Sequence, residues 1–348
     1  MSKLIRIGII FDGTDQNRDA VAVLDSGVKH ELTDAWKAAG YDSVYLLAGN
    51  RYDFCNATVQ CRGNQLKDLH DVIQKIVALD TAGKGPAFWK DVAVEFVSNG
   101  HGGGEGKEHQ IGALKLTDII QELGNIPPEA QRVMRFEECG AANIIGVQHM
   151  LDPNDLALAY SGQDADGTAL HNFTDSAALG YRGAQTGNDS QQSMFWRGQA
   201  SIQGSRFAHR GMVFLRGAQF VDRGFGTETL PDPFPRSIVS VTDLVTLIET
   251  LGTSYDKGIT IVGFSAGASS KQKNTLEQFK TFAEKYPGWV QFLWVDSKTA
   301  KEFYPQATRF QEPQFIFHFP GADPTKLFTL NETKKMLDDI LHGTSMLR

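Results

Sequence analysis

His101 and Cys139 are the residues of this sequence best placed to do chemistry together. The run VAVEFVSN ends in the glycine-rich GHGGG, which carries His101, and the shorter run RVMRF ends in EECGAAN, which carries Cys139. Both runs read as strands that feed loops. Between them, GALKLTDIIQELG reads as a helix. Strand, helix and strand make a βαβ unit, whose consecutive parallel strands end on the same edge of a sheet. The imidazole and the thiol therefore belong on neighbouring loops. A thiol becomes a competent nucleophile when a nearby imidazole or positive field favours its thiolate. Taken alone, Cys139 reads equally well as a small buried hydrophobe at a strand end; the His-Gly at the preceding strand end is what favours chemistry.

A second constellation competes. GFSAG (263–267) matches G-x-S-x-G and sits between a strand and a helix, as a nucleophile elbow requires; Asp296 at a strand end and His318 follow it. Ser265, Asp296 and His318 stand in the Ser–Asp–His order of α/β-hydrolases. His101-Gly102-Gly103-Gly104 would then resemble a lipase oxyanion loop, and Phe11-Asp12-Gly13-Thr14 resembles a motif of α/β-hydrolase phospholipases. Against this serine esterase reading, Asp296 follows Ser265 too closely for the elements that fold interposes. A third class is a non-catalytic α/β binding module. An electrophile selective for thiols and a fluorophosphonate separate the three: label at Cys139, at Ser265, or at neither.

The elements that must position these residues follow from the hydrophobic pattern. Leu4 to Phe11 is a nearly continuous apolar run, as a parallel strand buried on both faces requires. A helix over 19–39 closes at Gly40, and Val44 to Leu47 is a second strand. Gly49 to Gly63 reads as loop and holds Cys55 and Cys61. Leu66, Leu69, Val72, Ile73, Ile76 and Val77 stripe one face of a helix over 64–79. Further strands are predicted at 92–97, 133–136, 156–160 and 212–215, with a helix at 115–123. Residues 161–205 are a polar Gly/Ser/Gln/Asn-rich loop. Beyond it come a helix over 241–251, strands at 259–262, 290–295 and 315–319, and helices at 270–285 and 331–341. The fold class is thus α/β, a mostly parallel sheet with helices on both faces, and the domains are 1–216 and a C-terminal α/β extension over 217–348 that could pack on the same sheet.

Composition narrows the classes. The chain has 348 residues, 41% hydrophobic and 22% charged, enough for one large core or two ordinary domains. A net charge of −7 leaves no basic footprint for nucleic acid. No apolar stretch approaches the roughly 18 residues of a membrane span, and the apolar start is interrupted by Asp12, which reads as a first strand and not as a signal peptide. Three cysteines are too few for a disulfide scaffold and favour a reducing, cytoplasmic setting. Cys55, Cys61 and His70 lack zinc-type spacing, so neither a metal nor another cofactor is expected. His109, His149 and His171 show no spacing that sets them apart.

The strand-end His-Gly and Cys-Gly elements, FVSNGHGGG and FEECGAAN, resemble the caspase-like cysteine peptidases of clan CD, with metacaspase and legumain-type members the nearest in pattern. FEECG is similar to the legumain Glu-Ala-Cys-x-Ser-Gly, though Gly140 follows the thiol directly. NATVQCRGNQLKDLHDVI resembles the metacaspase stretch between second and third strands. LALAYSGQDADGTA resembles the metacaspase Ser-Gly-Cys-x-Asp segment, with Gln163 in place of its Cys. The likeness covers about residues 4–216. It implies a caspase-like fold and a cysteine endopeptidase acting on protein or peptide substrates through a Cys139–His101 dyad, with the backbone N–H groups of Gly102 and Cys139 as oxyanion donors. The same resemblance places a substrate pocket at the loop carrying Asp164 and Asp166, and Asp12, at the end of the first strand, lies on the same edge. Those acids would pair a basic P1 side chain, because a buried cation left unpaired costs several kcal/mol. Self-cleavage after Arg182, in the polar loop, is a further expectation.

Overall fold

The computed structural model describes residues 4–13, 32–34, 36–49, 59–138, 140–159, 190–196, 213–224, 232–255, 257–265, 270–286, 288, 290–306, 312–319 and 322–342. The chain divides into two compact units, Met1–Leu230 with Ile340–Arg348, and Pro231–Asp339.

In the first unit Ile5–Asp12 (β1), Ser43–Leu47 (β2), Val59–Arg62 (β3), Val92–Asn99 (β4), Gln131–Phe136 (β8), Asp155–Ala159 (β9) and Val213–Arg216 (β10) build one seven-stranded sheet. Its order is β10-β9-β8-β4-β1-β2-β3. Every neighbouring pair from β9 to β3 is parallel, and β10 joins β9 antiparallel. Both faces are covered, which explains why the strands read as apolar runs instead of alternating. Ile7, Ile9, Phe11, Val94, Phe96, Met134 and Phe136 pack on one side, against helices Leu66–Val77 (α1) and Leu116–Leu123 (α2). Ile10, Leu46 and Val97 pack on the other, against Leu32, Trp36 and Met194. The 4–11, 64–79, 92–97, 115–123 and 133–136 expectations match these elements to within a few residues.

Charged residues also enter the sheet, each with partners. Arg132 lies opposite Asp155 in register and grips its carboxylate through Nε and a second nitrogen at 2.6 and 2.9 Å. Burial pushes the Asp155 carboxyl upward even though the Arg132 guanidinium opposes it. On the other face Gln191 donates to Glu95 at 2.7 Å and accepts from Arg135.

Four short strands of this unit were not expected. Gly102–Gly103 (β5), Gln110–Ile111 (β6) and Leu114–Lys115 (β7) form a three-stranded antiparallel flap directly after His101. Val59–Arg62, read as loop, is instead the edge strand β3, because backbone pairing with β2 needs no apolar run. Cys61 on β3 is disulfide-bonded. His70 pairs with Glu122 at 3.0 Å instead of joining Cys61, and no group of three potential ligands with metal-site geometry occurs among the described residues.

The second unit has its own sheet. Val239–Val241 (β11), Ile259–Phe264 (β12), Val290–Val295 (β13) and Gln314–His318 (β14) take the order β11-β13-β12-β14. The first three are parallel and β14 is antiparallel to β12. Residues 239–241 pair as a strand and the helix starts only at Leu244 (α3, to Ser254), with the Asp243 carboxylate accepting from Thr246 N–H at 2.8 Å as its cap. Ser270–Ala283 (α4), Ser297–Phe303 (α5) and Leu330–His342 (α6) are the other helices. No helix among the described residues is long and apolar enough to cross a membrane.

Candidate active site

The βαβ unit around α2 fixes the site. β4 and β8 are adjacent and parallel, in register from Ala93 opposite Gln131 to Ser98 opposite Phe136. Adjacent strands lie about 4.8 Å apart, so the chain leaving β4 toward His101 and the chain leaving β8 toward Gly140 emerge side by side. Asp12, at the end of β1, is in register with Asn99. His101, Asp12 and the loop after β8 thus share one sheet edge.

His101 itself is exposed, and its carbonyl accepts from Gly112 N–H at 2.7 Å, which closes the neck of the β5–β6 flap. The flap rests on the end of β1. Gly112 has φ +61°, and a Cβ there would stand 2.3 Å from the Gly13 carbonyl, so only glycine permits this approach. The Asp12 carbonyl accepts from the Asn64 side chain at 2.8 Å, and its carboxylate side chain is buried.

Three polar groups that the sequence did not single out tie the two loops together. Glu138 is buried, and its Oε2 accepts from Ser98 Oγ on β4 at 2.6 Å. Its Oε1 faces Nε2 of the buried His109 at 3.5 Å. Asn143 is also buried; it accepts from Gly106 N–H at 2.7 Å and donates to the Gly140 carbonyl at 2.9 Å. Glu137 adds a main-chain bond to the Ser98 carbonyl at 3.1 Å. Of these pairs only Asn143–Gly140 has a local spacing. The one available signal was a Glu-Glu pair ending an apolar strand, where a carboxylate must find a partner.

Of the residues singled out from the sequence, His101, Gly102 and Asp12 are brought to this edge. Cys139 lies outside the described residues, although Glu138 and Gly140 on either side of it are described. Asp164, Asp166, Arg182 and Cys55 also lie outside them.

The serine constellation does not assemble. β14 runs antiparallel to β12, and His318 stands opposite Thr260, five residues before Ser265. At about 3.3 Å per residue that is roughly 16 Å along the strand. The Asp296 carboxylate caps α5, accepting from Lys298 N–H, Thr299 N–H and Thr299 Oγ1 at 2.8, 3.1 and 2.7 Å. Desolvation tends to raise its pKa, but those bonds hold it below the ordinary carboxylate value. His318 Nε2 is 2.6 Å from the Tyr304 hydroxyl, and burial lowers its pKa to about 4. Ser265 is buried. Each member of the supposed triad is therefore committed elsewhere or turned to a different end of the sheet.

No protein-family pattern and no curated protein matches the sequence. Among solved structures, the chain is similar to caspase-1 from Spodoptera frugiperda at 12% identity, over 65% of this chain and 93% of that one, with a TM-score of 0.40. It is similar to thioredoxin from Trypanosoma brucei brucei at 21% identity, over 30% of this chain and 91% of that one, with a TM-score of 0.24. A structure of ferredoxin:thioredoxin reductase with thioredoxin f2 matches at 20% identity, over 30% of this chain and 94% of that one, with a TM-score of 0.26. At these TM-scores none of the likenesses decides the chemistry.

Proposed function

We propose that the chain is a cysteine endopeptidase in which Cys139 is the nucleophile and His101 the general acid and base. The observation that carries this reading is the buried tie between the two loops: Ser98 to Glu138 at 2.6 Å and Asn143 to Gly106 at 2.7 Å hold the loop after β8 against the loop that carries His101. A nucleophile and its base must stay within hydrogen-bond reach through a catalytic cycle. The parallel β4–β8 pair and this tie supply the rigidity.

In the proposed reaction the Cys139 thiolate attacks the scissile carbonyl, forming a C–S bond and a tetrahedral oxyanion. The backbone N–H groups of Gly102 and Cys139 are its donors. Collapse breaks the C–N bond, with His101 giving its proton to the leaving amine. His101 then takes a proton from water, which attacks the thioester and releases the acid and the free thiol. The substrate is a polypeptide with Arg or Lys at P1. Of the acids assigned to the pocket Asp12 is the one described at that edge, and Asp164 and Asp166 are proposed to join it.

Labelling tests the assignment. Iodoacetamide is expected to modify Cys139 and stop cleavage of an Arg-P1 peptide, while a fluorophosphonate leaves Ser265 unmodified. Full activity after stoichiometric Cys139 alkylation would sink the reading.

A further inference from the structure

Glu138 is an unusual neighbour for a nucleophilic thiol. It immediately precedes Cys139, its side chain is fully buried, and a bare carboxylate there opposes thiolate formation. The structure balances it. Ser98 Oγ donates to Oε2 at 2.6 Å, and Nε2 of His109 faces Oε1 at 3.5 Å. The His109 ring is buried as completely, and its Nδ1 lies 3.4 Å from the Gly104 carbonyl. Nε2 of His109 makes no hydrogen bond of ordinary geometry, so its 3.5 Å approach to Oε1 is a facing of ring nitrogen and carboxylate oxygen across a buried gap.

We propose that His109 and Glu138 are a positioning pair that sets the His101 loop against the Cys139 loop. This rests on the peptidase reading above. His109 directly precedes β6, which pairs with β5, and β5 begins at the residue after His101. The His109 main chain is fixed as well, donating to Gly106 O at 3.2 Å and accepting from Leu116 N–H at 2.8 Å. A contact from the His109 ring to Glu138 therefore joins the flap that holds His101 to the residue before Cys139. Ser98 ties the same carboxylate to the strand that leads into His101. His109 touches no reacting atom in this scheme, so it acts through placement.

The test is steady-state cleavage of one Arg-P1 peptide by the full chain and its variants, with folding followed by circular dichroism. Misplacement by about 1 Å costs on the order of 100-fold in rate. His109→Ala is expected to lower kcat about that far, with KM changed less than about 3-fold, while iodoacetamide still modifies Cys139. His109→Gln, which can present an N–H toward Glu138, is expected to recover at least about 10-fold of the loss. A purely packing role predicts no such rescue. His109→Ala with wild-type kcat, a loss confined to KM, or a Gln variant no better than Ala overturns the proposal. If His109→Ala does not fold, Glu138→Gln decides: it keeps the shape and the Ser98 bond but removes the charge facing His109. A kcat loss of about 10-fold or more supports the pair, and wild-type kcat refutes it. The parent reading fails differently, through a wild-type chain that cleaves no peptide or cleavage that survives Cys139→Ala.

Discussion

Replacing Asn143 by Ala removes two buried hydrogen bonds at once, and the structure separates their costs. The amide oxygen takes Gly106 N–H at 2.7 Å, and the amide nitrogen serves the Gly140 carbonyl at 2.9 Å. Gly106 is partly exposed, so its N–H can turn to water and the loss is about 1 kcal/mol net. The buried Gly140 carbonyl keeps its bond from Asn143 N–H at 2.9 Å, so losing the side-chain donor costs about 1 kcal/mol. Asn143→Ala is thus expected to destabilise the first unit by about 2 kcal/mol. Asn143→Asp changes one atom yet sets an oxygen against the Gly140 carbonyl and buries a charge, so it should be no better tolerated than Ala. Urea unfolding followed by far-ultraviolet circular dichroism reads both, with stability taken from midpoints at constant slope. Cleavage of an Arg-P1 peptide should fall with them, because the same side chain ties the loop after β8 to the flap. An Asn143→Ala chain within about 0.5 kcal/mol of wild type and fully active would show that this tie neither stabilises nor positions.

Three further outcomes are expected. Burial lowers the His318 pKa to about 4 from 6.5, so the unfolded chain takes up the proton first on acidification. The stability this confers is present above pH 6.5 and is lost as pH falls toward 4. Between pH 7 and 4.5 the second unit should lose about 2 kcal/mol more in wild type than in His318→Gln, and equal losses by urea unfolding would refute the cause. Ser265→Ala should leave peptide and ester hydrolysis unchanged; loss of either in a folded variant would return the assignment to that serine. Matched peptides with Arg, Lys, Asn and Asp at P1 should show preference for Arg and Lys, weakened at least about 10-fold by Asp12→Asn, whereas a preference for Asp or Asn would mean the pocket carries the opposite charge.

The elements that the sequence disclosed are those buried on both faces or striped on one. β1, β4 and β8 announce themselves as apolar runs, and α1 by the spacing of Leu69, Val72, Ile73 and Ile76, all buried. β3, β5, β6 and β7 were invisible because they are two to four residues long and held by backbone pairing, which carries no side-chain period. β11 was absorbed into the following helix, although Asp243, as its cap, was a readable boundary. The adjacency of the His101 and Glu138 loops followed from one rule of handed crossover. What ties them did not, since Ser98–Glu138, Glu138–His109 and Asn143–Gly106 pair residues far apart in sequence. The serine motif shows the converse. GFSAG, Asp296 and His318 were in a persuasive order, but strand direction is a tertiary fact, and the antiparallel β14 carries His318 to the wrong end of the sheet.

The central claim is that one thiol and one imidazole, at the ends of adjacent parallel strands, cleave peptide bonds. Cleavage of an Arg-P1 peptide by purified Cys139→Ala and His101→Ala chains, each checked for wild-type circular dichroism, tests it most directly. Removal of either member of such a unit is expected to lower kcat by about 10³-fold or more with the fold unchanged. A folded Cys139→Ala chain that cleaves the peptide at the wild-type rate would contradict the account.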